Sequence, residues 1–227
     1  MRERLRAFFR SLGIDVHRYY GNANGGHPSD FTREEADTWQ KVRKYTQNGP
    51  EQIIYVKRAC EWVLEQGIPG AFVECGVWRG GTAMVMNGRP VYLYDTYRGM
   101  SQPGPHDGLV SGHRPEAWGA LPKRGEYPAI TSDAVLERVP NGVVIEGDVL
   151  DTIPAHLPEQ IAVLHLDTDF YETTLHELKH LWPLVSPGGI AIIDDYYLWT
   201  GVKNAVDEFF PSAYLHRVDE KAVAVQK

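Results

Sequence analysis

"VECGVWRGGTAMV", residues 73–85, sets an acid and then glycines at 76, 80 and 81 between two apolar runs. A strand that ends here must turn tightly. Glycine permits the turn and lets a ligand approach main-chain N–H groups without meeting a Cβ atom. The spacing is not G-x-G-x-x-G, which argues against a nicotinamide dinucleotide. Alone, such a loop is also compatible with a bare strand-to-helix turn, so its meaning depends on what stands at matching places downstream.

Five short apolar runs, "GAFVECG", "PVYLYDT", "GVVIEGD", "IAVLHLDTD" and "GGIAIIDD", each end near an acid and read as parallel strands. The pieces between them, notably "TSDAVLERVP" and "YETTLHELKHLWPLV", suit helices. Together they predict an α/β fold with an open, mostly parallel sheet and helices on both faces. The tail "YLHRVDEKAVAVQK" can add one or two final strands, antiparallel ones included. Upstream, "PEQIIYVKRACEWVLEQG" places Ile53, Val56, Cys60 and Val63 on one helical face, with Gly67 as a stop signal. Before it, "YYGNANGGHPSDFTREE" reads as a connection or lid with Ser29, Asp30 or Thr32 available as a helix cap. "RERLRAFFRSL" is a short amphipathic helix whose apolar stripe suits packing on the parent domain or on a second copy, which makes a homodimer the expected oligomer. The expected organisation is one domain over 1–227, with an N-terminal helix and lid-like segment over 1–50 and a catalytic core over 51–227.

Bulk properties narrow the function classes. The 227 residues carry 30 acidic and 23 basic side chains, a formal charge of −7 that repels polyphosphate, so no nucleic-acid partner is expected. No apolar run approaches the roughly 20 residues that span a bilayer. The amino terminus lacks the apolar region and cleavage site of a secretory signal, and the expected location is cytoplasmic. Cys60 and Cys75 lack metal or disulfide spacing and read as buried, reduced packing residues.

In such sheets ligands collect outside the carboxyl ends of the strands. Glu74, Gly76, Gly80 and Gly81 then form a binding floor. Asp95, ending the next strand, can accept both hydroxyls of a ribose, and Asp148 can accept from an adenine amino group or a nearby backbone amide. Three acids on consecutive strands favour a nucleoside cofactor. "LHLDTDFY" and "AIIDDYY" add Asp167, Asp169, Asp194 and Asp195 at two adjacent strand ends. Four crowded carboxylates are costly unless protonated, solvated or neutralised, and oxygen ligands of this kind suit Mg²⁺. The competing reading is helix caps plus a salt bridge. On an extended strand, alternation around Thr168 would point Asp167 and Asp169 to one face. His106, His113 and His165 are alternative bases near this edge.

With these residues assembled, the chain resembles the S-adenosylmethionine-dependent sugar O-methyltransferases of the TylF/MycF/NovP kind. "VECGVWRGG", "LYDTYRGM", "LDTDFYETT" and "SPGGIAIIDDY" match that family's signatures in order, over roughly residues 50 to 210. The resemblance implies a Rossmann-like class I methyltransferase fold. It implies that Glu74 and the loop through Gly81 hold the methionine part of S-adenosylmethionine, Asp95 its ribose and Asp148 its adenine end. Asp167, Asp194 and Asp195 match the family's metal ligands. The chain is also similar in motif content to mycobacterial-type methylmannose-polysaccharide 1-O-methyltransferases. One departure is clear: only "TAMVMNGRP" separates the glycine loop from the second strand, where a longer helix is usual. Segment 99–134 can form part of the acceptor site, a lid or an exposed loop.

The mechanism this implies is in-line methyl transfer to a sugar hydroxyl, with Mg²⁺ against the acceptor oxygen and Asp167 as general base; Asp169 stands in reserve. Alternatives are a catechol-type O-methyltransferase, a D-x-D metal-dependent glycosyltransferase, and a catalytically silent cofactor-binding module.

Overall fold

Period-two alternation along the strands sorts the core into two layers. In a computed structural model describing residues 27–110 and 130–227, Phe72 of β1 (Ala71–Cys75) faces one cluster, while its neighbours Val73 and Cys75 face the other. The first cluster is closed by α1 (Arg33–Val42) and α2 (Pro50–Glu65), with Val135 from α3 (Ser132–Leu136). The second is closed by α4 (Val149–Thr152), α5 (Tyr171–Leu181) and α6 (Thr200–Phe209). Helices therefore cover both faces, as expected. The amphipathic helix expected within 2–12, and His113, lie outside the described residues.

The remaining strands are β2 (Val91–Asp95), β3 (Gly142–Glu146), β4 (Ile161–Leu166), β5 (Val185–Ile193), β6 (His216–Arg217) and β7 (Val223–Gln226). They form one seven-stranded sheet in the order β3-β2-β1-β4-β5-β7-β6. β1 to β5 pair in parallel, and β7 runs antiparallel to both β5 and β6. The order reverses between β1 and β4, where a crevice opens at the carboxyl edge.

Local signals explain the element ends. Thr32, one of three candidate caps, is the residue used at α1: its hydroxyl accepts from Glu35 N while the Glu35 carboxylate returns a bond to Thr32 N. Gly67 ends α2 with φ +67, as glycine tolerates. The short crossover after β1 is a single 3₁₀ turn, Ala83–Val85. The sheet face a longer helix would cover is filled instead by Ile53, Val56, Cys60 and Val63 of α2, packed with Val85 and Met86. Cys60 and Cys75 are both free and buried, and burial pushes both thiols up, as suits packing residues.

Glu177 on α5 was not anticipated. It is fully buried, neither carboxylate oxygen has a hydrogen-bond partner, and its polar neighbours are the Thr168 and Cys75 side chains. Burial pushes its carboxyl up from 4.5 to about 8. The folded chain thus keeps a proton that the unfolded chain releases, so this group's contribution to stability falls as pH rises from about 4.5 to about 8. Glu177→Gln, which mimics the protonated form, should gain on wild type by up to about 1.4 kcal/mol per pH unit in that window. For a chain this size that is about 2–4 °C in Tm per unit. Thermal scans from pH 5 to 8 check this; a pH-independent difference would mean an ordinary carboxyl at this position.

Candidate active site at the carboxyl edge of the sheet

Six of the seven acids expected at strand ends, Glu74, Asp95, Asp148, Asp167, Asp169 and Asp195, converge with Gly76 and Gly81 on one cleft of about 810 Å³. That volume suits a nucleoside-sized ligand with room for a second. Gly80 is not in the lining. Its φ is +79, and a Cβ there would press on Val135 at 3.0 Å, so it shapes the turn from behind.

Gly76 and Gly81 are needed for protein contacts as much as for a ligand. A Cβ at Gly76 would lie 2.0 Å from the Asp167 carbonyl oxygen, and one at Gly81 would lie 2.6 Å from the Tyr45 carbonyl. Gly81 N donates to that same Tyr45 oxygen at 3.0 Å. The segment after α1 is thereby fastened to the glycine loop, and Thr46, Gln47 and Asn48 become part of the cleft wall.

Asp95 anchors the loop. Its Oδ2 accepts from Val77 N (2.7 Å) and Trp78 N (2.8 Å), and its Oδ1 accepts from Tyr97 N (2.6 Å). A carboxylate offers about four acceptor positions. Three are used, which leaves room for one ribose hydroxyl rather than two. The backbones so held are strained: Trp78 (φ 46) and Tyr97 (φ 49) are left-handed, and with Asp169 (φ 70) and Asp195 (φ 56) they are the non-glycine residues of positive φ among those described. All four line the cleft. Such strain costs about 1–3 kcal/mol per residue and concentrates at functional sites. Trp78 Nε1 and Tyr97 Oη are buried without partners, as donors reserved for a ligand would be.

Glu74 is 1% exposed. Its Oε1 lies 3.4 Å from His165 Nδ1, and its Oε2 is buried without a partner. Burial pushes its carboxyl up, partly offset by His165. His165 is wholly buried, with Nε2 3.2 Å from Gln52 Nε2 on α2. It props Glu74 and does not line the cleft. His106 stacks on Tyr171 with ring centroids 4.5 Å apart, also outside the lining. Asp148 caps α4, its Oδ1 accepting from Leu150 N at 3.0 Å, so the backbone-amide alternative is realised while the residue still borders the cleft.

The four-acid cluster differs from the extended-strand expectation. β4 ends at Leu166, and Asp169 turns back through positive φ, so Asp167 and Asp169 do not alternate along a strand. They converge through the turn instead. Single oxygens of Asp167, Asp194 and Asp195 lie within 4.8 Å of one another, and Asp169 and Asp195 stand close enough for each to bear on the other's ionisation. Burial, with the charge of Asp194 on Asp167 and of Asp195 on Asp169, pushes both carboxyls well up; burial and Asp194 push Asp195 up.

Two participants escaped the sequence reading. Asn48 Nδ2 donates to Asp167 Oδ2 at 3.2 Å. Lys221 Nζ donates to Asp194 Oδ2 at 2.6 Å and to Asn48 Oδ1 at 3.1 Å, and lies 3.3 Å from Asp195 Oδ1. The available signal for Lys221 was its place two residues before the last apolar run; antiparallel pairing of Ile193 with Val223 then sets it opposite Asp195.

This strand order, with a glycine loop and acids at the switch point, defines a Rossmann-like class I methyltransferase. The chain belongs to the macrocin O-methyltransferase (TylF) family, whose profile matches residues 6–227, and it is an O-methyltransferase enzyme. It is 31% identical over 208 residues to demethyldecarbamoylnovobiocin O-methyltransferase of Streptomyces niveus, covering 81% of this chain and 78% of that one. It is 29% identical over 200 residues to the 8-demethyl-8-(2,3-dimethoxy-alpha-L-rhamnosyl)-tetracenomycin-C 4'-O-methyltransferase of Streptomyces olivaceus, covering 81% and 74%. The structure of the O-methyltransferase NovP superposes with a TM-score of 0.69 at 29% identity, over 81% of this chain and 82% of that one. Among the described residues no helix is long and apolar enough to cross a membrane.

The crowded acids make a stability prediction. Raised carboxyl pKa values mean that stability falls as pH climbs above the ordinary carboxylate range. In chelator at pH 8, Asp169→Asn should therefore raise Tm, by about 2–4 °C for each kcal/mol relieved, with the gain shrinking toward pH 5. Equal Tm values at both pH values would contradict the crowding.

Proposed function

We propose that this enzyme transfers a methyl group from S-adenosylmethionine to a hydroxyl of a sugar or glycoside, with Mg²⁺ held by Asp167, Asp194 and Asp195. The observation that carries this reading is the trio of carboxylate oxygens within 4.8 Å of one another beside the cleft. Asp194 Oδ1 is buried without a hydrogen-bond partner, as befits a ligand atom, and an all-oxygen donor set suits Mg²⁺. The sugar acceptor is supported by the rhamnosyl compound in the name of the tetracenomycin relative.

S-adenosylmethionine, when bound, supplies an electrophilic methyl group. The unpartnered Oε2 of Glu74 fits its ammonium, and the remaining acceptor position on Asp95 fits one ribose hydroxyl. Asp148 and Gly147, also in the lining, border the adenine end. Mg²⁺, when bound, supplies Lewis acidity and a template for neighbouring acceptor oxygens. Asp167 takes the hydroxyl proton, an assignment supported by its place in the cleft wall. Asn48 steadies that carboxylate through Oδ2, while Trp199 and Leu198 give the acceptor side an apolar wall.

Calorimetry and turnover together test the reading. S-adenosylhomocysteine should bind at one site. Asp167→Asn should bind it within a few-fold of wild type while losing about 10²–10⁴ in Mg²⁺-dependent kcat on a sugar acceptor. Glu74→Gln should instead weaken binding of the cofactor product. Full turnover by Asp167→Asn, with loss on Asp169→Asn, would move the base to Asp169. No binding of S-adenosylhomocysteine by folded protein would defeat the assignment.

A further inference from the structure

Lys221 has no role in the chemistry described so far, yet it is fixed with care. It sits in the turn between β6 and β7, where Asp219 Oδ1 accepts from both Lys221 N and Ala222 N at 2.8 Å. Its own carbonyl accepts from Tyr197 N at 2.9 Å, just beyond the paired acids. The side chain then runs into the acid cluster, giving a continuous chain of contacts Asp167–Asn48–Lys221–Asp194 that ties the cleft wall to two strand ends. This is not a solvent-exposed ion pair, because the Asp194 side chain is 1% exposed and that of Lys221 23%. Burial works to lower the lysine's pKa, but the carboxylates of Asp194, Asp167 and Asp195 outweigh it and raise it, so the ammonium stays charged. The lysine also divides the labour on Asp194: it holds Oδ2 and leaves Oδ1 unpartnered.

We infer that Lys221 is a resident counter-cation: it holds the carboxylates of Asp167, Asp194 and Asp195 together before a divalent ion arrives, and its charge weakens the affinity for that ion. The inference rests on the metal reading of the cluster. Three close carboxylates repel one another in a partly desolvated site, and a fixed positive charge beside them relieves that repulsion. The same charge repels an incoming cation that must sit among the same oxygens. The site is thereby assembled in advance and kept exchangeable, where a bare cluster would be disordered when empty and hold its ion tightly when filled.

The experiment is Mn²⁺ and Mg²⁺ titration calorimetry, with thermal scans in chelator, on wild type, Lys221→Met and Lys221→Arg. Lys221→Met should melt lower than wild type in chelator, bind Mn²⁺ more tightly by about tenfold or more, and recover more Tm on metal addition. Lys221→Arg keeps the charge and should stay close to wild type in affinity. If Lys221→Met is too unstable to purify without metal, Lys221→Gln, which retains a hydrogen bond to Asp194 without the charge, carries the same expectation. Equal or weaker Mn²⁺ affinity in the uncharged variants would overturn the inference while leaving the metal site in place. No Mn²⁺ or Mg²⁺ binding by any variant, with S-adenosylhomocysteine still bound, would instead remove the metal reading and this inference with it.

Discussion

The close approach of β1 and β4 at the point where strand order reverses is the constraint on which the site depends. Asp167 N donates to the Cys75 carbonyl at 2.8 Å, and the next residue must be Gly76, because a Cβ there would fall 2.0 Å from the Asp167 carbonyl oxygen. That contact sets the acid cluster of one strand end against the glycine loop of the other. The proposed cofactor site on the loop and the proposed cation site on the acids are then neighbours. Parallel pairing of β1 with β2 brings Asp95 to the same edge, and its three accepted backbone bonds stiffen the loop from the far side.

The fold was largely legible because each parallel strand is an apolar run closed by a polar or glycine-rich turn, and that pattern does not depend on distant partners. The acids at the strand ends were legible for the same reason, since a strand's end fixes where its last side chains stand. What escaped needs tertiary information. Asn48 reaches Asp167 only because Gly81 lets Tyr45 and Thr46 lie against the loop, a packing that no local period encodes. Lys221 depends on the antiparallel register of β7. Asp169 was placed on the right edge for the wrong reason, because the departure from extended backbone after Leu166 is imposed by the turn into α5. The choice of Asp167, Asp194 and Asp195 as the proposed metal trio came from the resemblance; chemistry alone left four acids without choosing among them.

The site also shows where the molecule gives up stability. Left-handed φ at Trp78, Tyr97, Asp169 and Asp195, unpartnered buried atoms on Glu74, Trp78, Tyr97 and Asp194, and raised carboxyl pKa values all lie at one edge. The two side-chain clusters that cover the faces of the sheet are built mainly from buried aliphatic residues and offset these costs. Glu177 stands apart from the cleft lining, a buried acid without a hydrogen-bond partner of its own. Its neutral form suits an apolar setting better than a charge would.

Charge balance connects the cluster to its proposed ion. Asp167, Asp169, Asp194 and Asp195 bring four negative charges if all are ionised, and Lys221 adds one positive charge beside them. A single ammonium does not offset that many carboxylates, so the cluster keeps a net attraction for a cation. Without the lysine, the carboxylates of the empty cluster would repel one another more strongly. With a second lysine in place of Asn48, the site would lose most of its attraction for a cation. Asn48 avoids this because its amide is neutral, donating to Asp167 through Nδ2 and accepting from Lys221 through Oδ1. The pairing of one ammonium with one amide therefore holds the acids in register while leaving negative charge for the proposed divalent ion.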